Sequence, residues 1–182
     1  DVRTRDLFKK LIPMFATALQ KHLQAETTRL ALDTDAHPEI PNFDHTRHLP
    51  AQVAAFMIGK LNTLYKQGVI TGDQFIALNS EMPVFMDVCG ACERIKNTPI
   101  PYSYRSLIKK FIFLYVITLP LGLSFILHYI LIPVVGLVFY VLASLELIAE
   151  EIEDPFGTDD NDLPMQKMAA NIRKNVDDII HL

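Results

Sequence analysis

The chain has 182 residues, half of them apolar and 21% charged, with a net charge of −4. That is more apolar than an ordinary water-soluble domain, so part of the chain is expected in lipid. The acidic balance, with no Lys/Arg-rich run and no regular basic–aromatic interleaving, excludes nucleic acid as a partner.

The chain opens DVRTRDLFKK, with neither an initiating Met nor an apolar targeting core; it is expected to be a fragment. Leu7, Leu11, Phe15, Ala18, Leu19 and His22–Leu23 recur at steps of three and four, which predicts an amphipathic helix from Asp1 to about Gln24. Arg3, Arg5, Lys9, Lys10 and Lys21 lie mostly off that stripe and read as a solvated face, with acidic lipid or a neighbouring subunit as the alternative. Asp33 to Pro50, DTDAHPEIPNFDHTRHLP, gathers residues that break or cap helices and reads as a surface loop. His45 and His48 could begin a metal site there, but no further ligand cluster supports one, and solvated loop histidines are the simpler reading.

A second helix is framed by Pro50 at its start and Gly68 just past its end. Thr71 then caps a third, longer helix through Asn97, bent at Pro83, whose Met and Phe stripe (Phe75, Met82, Phe85, Met86) reads as core. Cys89 and Cys92 make a Cys-Gly-Ala-Cys spacing, but the strand-to-helix setting of a redox motif is missing. Two small packing residues in a reducing cytoplasm are the simpler reading. Glu93 and Arg94 read as a salt bridge that orders the following connector.

NTPIPYSY ends that helix, because each proline disfavours helical geometry in the residue before it. The chain then changes solvent. FIFLYVITLPLGLSFIL (111–127) and ILIPVVGLVFYVLASL (130–145) carry no charge, and with their flanks both reach the roughly 20 residues that cross a bilayer core of about 30 Å. Two transmembrane helices divided at His128–Tyr129 fit better than a soluble buried hairpin, since a buried helix is rarely apolar on every side. Arg105, Lys109 and Lys110 precede the first span, which puts that end in the cytoplasm and returns the second span to the same side. Pro120 and Pro133 inside the spans, with Gly122, Ser124, Gly136, Ala143 and Ser144, predict packed helices.

Glu146, Glu150, Glu151 and Glu153 follow as the second span ends, and Asp154, Asp159, Asp160 and Asp162 crowd around a Pro-Phe-Gly corner. Such charges need either water or cations to answer them. Calcium is a candidate because it takes several carboxylate and carbonyl oxygens, although neither the glycine nor the closing glutamate of an EF-hand is in place. Asn161 or Asp162 is expected to cap a last helix starting at Pro164. No Gly-rich phosphate loop, nucleophile elbow or metalloprotease spacing appears, so no enzyme is expected.

CERIKNTPIPYSY (92–104), a hydrophobic hairpin, and EEIEDPFGTDDNDLP (150–164), in that order and spacing, resemble the bestrophins and in particular their bacterial homologues. DVRTRDLF resembles the stretch that follows the family's second membrane helix. The resemblance implies a homo-pentameric ion channel in the cell membrane, multi-pass and in contact with lipid, that conducts passively. Chloride or another anion is the first expectation, with cations an alternative in bacterial members. The first two membrane helices, one of them lining the neck, would lie upstream of Asp1. It also implies that Asp154, Asp159, Asp162 and Glu151 occupy the family's calcium-clasp positions, with calcium a candidate and no cofactor required. Ile76, or failing that Ile70, matches the ring of apolar side chains at a lower cytosolic aperture.

The chain is thus expected to be all-α, a membrane protein with a helical hairpin in the bilayer and a cytosolic helical bundle. Residues 1–104 form a cytosolic helical region, 105–150 the two spans, and 151–182 the acidic corner and a C-terminal cytosolic helix. From the residues alone, without the resemblance, a membrane-anchored scaffold with no transport activity is equally permitted.

Overall fold

The structure is a computed structural model and describes residues 2–24, 40, 44, 47–159 and 161–180. Among the described residues there is no strand. Six helices follow one another: α1 (Val2–Gln24), α2 (Leu49–Lys66), α3 (Gly72–Asn97), α4 (Tyr102–Leu127), α5 (Leu131–Glu153) and α6 (Met165–Ile180), with a 3-10 turn at His128–Ile130. They group into two compact units, Asp1–Asn97 with Leu163–Leu182, and Thr98–Asp162. By contact, then, α6 goes with the N-terminal helices and the Thr98–Pro101 connector with the hairpin.

In the first unit the apolar stripes of α1, α2 and α3 meet. Leu11 and Phe15 from α1, Val53 and Met57 from α2 and Cys89 from α3 are all at most 5% exposed. Burying side chains of this size contributes roughly 1.5–3 kcal/mol each. Phe15 meets Phe85 edge to face, with ring centroids 5.0 Å apart, the arrangement favoured by the aromatic quadrupole. Helix α6 packs on α1, and Lys9 Nζ lies 3.4 Å from Asp177.

Local punctuation follows the sequence. Gly68 has φ +69° just past the C-cap Gln67, a left-handed conformation that glycine adopts without a Cβ penalty. At the start of α3 the Gln74 N–H donates to Thr71 Oγ1 at 3.3 Å, and the Thr71 N–H donates to Gln74 Oε1 at 3.1 Å. This reciprocal capping box satisfies two donors that the helix itself cannot.

The second unit is a pair of antiparallel helices. Although α4 and α5 are the most apolar helices of the chain, neither has a buried residue: Phe125 is 87% exposed and Ile132 74%. Their apolar residues cover every face, so pairing the two hides only a part. The reversal falls at His128, whose φ of 44° is rare for a non-glycine residue. Pro133 falls in the first turn of α5, where its missing N–H breaks no helical bond, whereas Pro120 lies inside α4.

Candidate functional site

Helix α5 runs on beyond its apolar stretch to Glu153, which sets Glu146, Glu150 and Glu153 at i, i+4 and i+7 on one stripe. Helix α4 likewise begins nine residues before Phe111, and its first turns carry the answering cations. Lys109 Nζ stands 3.1 Å from Glu146 and 3.6 Å from Glu150, and an Arg105 guanidinium nitrogen stands 3.4 Å from Glu153. The other oxygen of Glu153 accepts the Ile100 N–H at 3.0 Å. Its side chain is 10% exposed, so this one carboxylate ties the connector and the start of α4 to the end of α5. The acids at the exit of the second apolar helix are therefore answered by side chains of α4 and by the connector backbone. Pairs as open as Lys109–Glu150 contribute little, being screened by solvent, whereas the shielded, charge-assisted bonds of Glu153 are worth more.

The Pro-Phe-Gly corner follows. Asp162 Oδ2 accepts the Asp159 N–H at 2.7 Å, the Asp162 N–H donates to the Asp159 carbonyl at 3.0 Å, and Asn161 Nδ2 donates to Glu151 Oε2 at 2.8 Å. A Cβ on Gly157 would come within 2.5 Å of Asp162 Oδ2, so the carboxylate folds over a position that only glycine leaves open. This departs from the expected capping role: Asn161 and Asp162 bond back into the corner, and α6 starts at Met165.

Of the four residues matched to a calcium clasp, Asp159 and Asp162 are joined through the Asp159 backbone, Glu151 is engaged by Asn161, and Asp154 is exposed. Among the described residues the corner does not bring three carboxylate oxygens into one ligand-sized cluster; Asp160 lies outside them. A calcium ion held by several of these carboxylates would require the corner to rearrange. The aperture candidates differ from each other. Ile76 projects from α3 at 69% exposed, while Ile70 is half-buried in a groove with Phe8, Leu64 and Val69.

A second polar centre lies inside the first unit, and sequence reasoning missed it. Glu93 Oε1 is 2.6 Å from His22 Nε2 and 2.7 Å from His48 Nε2, and the two imidazole centroids are 4.3 Å apart. His48 also caps α2, its Nδ1 accepting the Ala51 N–H at 3.1 Å. With Nδ1 an acceptor, the proton of the neutral ring belongs on Nε2, which is thereby the donor to Glu93. Those hydrogen bonds, that of His48 foremost, hold the Glu93 carboxyl below its ordinary value against the opposing effect of burial. Lys96, one turn on, donates to the Leu23 carbonyl near the end of α1. Buried Cys89 lies 4.0 Å from His48 Nε2, and its thiol is pushed up to about 11, by burial first and then by the Glu93 and Cys92 charges.

His48 is therefore a cap and a carboxylate partner instead of a solvated loop histidine; His45 lies outside the described residues. Glu93 pairs with histidines, whereas it was expected to pair with Arg94. One signal was legible. Met82, Phe85 and Cys89 form the buried stripe of α3, and Glu93 and Lys96 continue it at the same spacing, where a polar residue needs a partner.

The match to known proteins covers nearly the whole chain. The family model for bacterial and fungal bestrophin proteins matches residues 1–178. The chain belongs to the bestrophin family. A voltage-dependent anion channel-forming protein of Synechocystis sp. is 31% identical over 177 residues, 94% of this chain and 56% of that protein. Another of that name from Salmonella typhi is 32% identical over 173 residues, 94% of this chain and 57% of the relative. The chain thus spans somewhat over half the length of these curated relatives. A crystal structure of a variant bestrophin homologue from Klebsiella pneumoniae superposes with TM-score 0.80 at 25% identity, over 95% of this chain and 66% of that one. With the family shown and the hairpin apolar on every face, this bestrophin chain is an all-α membrane protein.

Proposed function

We propose that the chain forms part of a bestrophin-like pentameric channel that conducts ions passively, preferring chloride and other anions, with cation passage the alternative selectivity. In this reading α4 and α5 each cross the cell membrane in a multi-pass protein that meets lipid and permeating ions. At 1.5 Å per residue they are about 39 and 35 Å long, sufficient for a core of about 30 Å. The observation that carries the proposal is this hairpin, apolar on all sides and closed at its charged end by Arg105, Lys109 and the α5 glutamates, in a chain whose relatives are named as anion channel-forming proteins. The exposure of Ile76 favours it over Ile70 for a ring of apolar side chains around an aperture. Calcium at Asp154, Asp159, Asp162 and Glu151 belongs to the same proposal, as an ion that would rearrange the corner and is not required for the fold.

The test is current across planar bilayers containing the full-length protein under a salt gradient. Stepwise currents with a reversal potential toward that of chloride are expected, and Ile76→Ala is expected to change the unitary conductance more than Ile70→Ala. Asp159→Ala/Asp162→Ala is expected to remove any calcium response and leave conduction in place. Absence of current from a purified pentamer at every voltage and calcium concentration would instead favour a membrane-anchored scaffold.

A further inference from the structure

We propose that His22, His48 and Glu93 form a site for one divalent transition-metal ion of the zinc class. The three groups converge from α1, from the N-cap of α2 and from α3. The two imidazole Nε2 atoms and the Glu93 oxygen lie within 4.8 Å of one another, and Cys89 Sγ lies 4.0 Å from His48 Nε2. Imidazole and carboxylate are ligand types zinc takes, at about 2.0–2.2 Å from the metal, and three such ligands leave the fourth position of the tetrahedron open. Such a tetrahedron spaces its donors by roughly 3.3–3.7 Å. The Glu93–imidazole pairs, at 2.6 and 2.7 Å, would open by about 1 Å or less to admit the ion. The histidine and glutamate side chains are 15–34% exposed, which gives an ion a way in, while Cys89 is fully buried and forms the floor.

At His48 a metal on Nε2 leaves the ring proton on Nδ1, where it meets the Ala51 N–H, a donor facing a donor, so the ring gives up its cap of α2. Metal entry would in this way exchange a local cap for a cross-link between three helices.

The experiment is Co2+ titration of the full-length protein, followed by absorbance and by calorimetry. One ion per chain is expected, with the d–d bands of a tetrahedral site. Glu93→Gln is expected to lower the affinity about 100-fold. Circular dichroism of the variant verifies that the helices persist. Absence of saturable binding, or equal affinity of folded Glu93→Gln, would overturn the proposal. Channel currents are read separately, so a silent bilayer says nothing against the metal site.

Discussion

The two units use the same kinds of side chain in opposite ways. In the first unit Leu11, Val53 and Met57 are fully buried against neighbouring helices. In the second, Leu121, Phe125 and Ile132 are 73–87% exposed, yet α4 and α5 are the more apolar helices. A stripe on one face calls for another helix, whereas an apolar surface all round calls for a different solvent. The polar groups obey the same contrast. Glu93 is satisfied inside a bundle by two imidazoles from other helices, while the glutamates of α5 are satisfied at one end of a helix pair by cations from the adjacent helix.

The contrast can be broken at four points, in order of expected effect. Met57→Ala should destabilise the first unit by about 2–5 kcal/mol through a cavity in a closed core. Phe125→Ala, which removes a larger side chain from a surface 87% exposed, should shift the unfolding midpoint of the detergent-solubilised protein by far less; equal losses in chemical denaturation would dissolve the distinction. Leu121→Arg should cost about 3 kcal/mol of membrane insertion, seen as protein lost from the membrane fraction, although in water an exposed leucine would tolerate the change.

At the charged end of the hairpin, Glu153→Gln should cost about 1.5 kcal/mol, because it removes the partner of Arg105 from a shielded position. Glu150→Gln should cost far less, because its pair with Lys109 is open to solvent. Thermal unfolding of the two variants side by side ranks them. The smallest effect is the pH dependence of the Glu93 centre. Its carboxyl is held below the ordinary value of 4.5, so its stabilisation is present above that value and lost as pH falls through the depressed folded one. The stability difference between wild type and Glu93→Gln, measured by denaturant titration along a descending pH series, should hold near neutrality and shrink only below about 4.5. A difference already lost on the way down to that value would mean that Glu93 gains nothing from the two imidazoles.

Helix existence and order were legible because periodicity, Thr71 and Gly68 act locally: a three-and-four spacing, a capping box and a left-handed C-terminal glycine need no distant partner. The apolar runs from Phe111 and Ile130 likewise announced their solvent, and the acidic motif with NTPIPYSY announced the family. Tertiary structure decided which charges meet. His22 and His48 lie 71 and 45 residues from Glu93, and no local pattern encodes a contact that exists only once α1, the N-cap of α2 and α3 have packed. Asp162 turned inward for a related reason. A carboxylate near a helix start can cap it or can close its own turn, and with Gly157 leaving room beneath it and the Asp159 amide within reach, the turn wins.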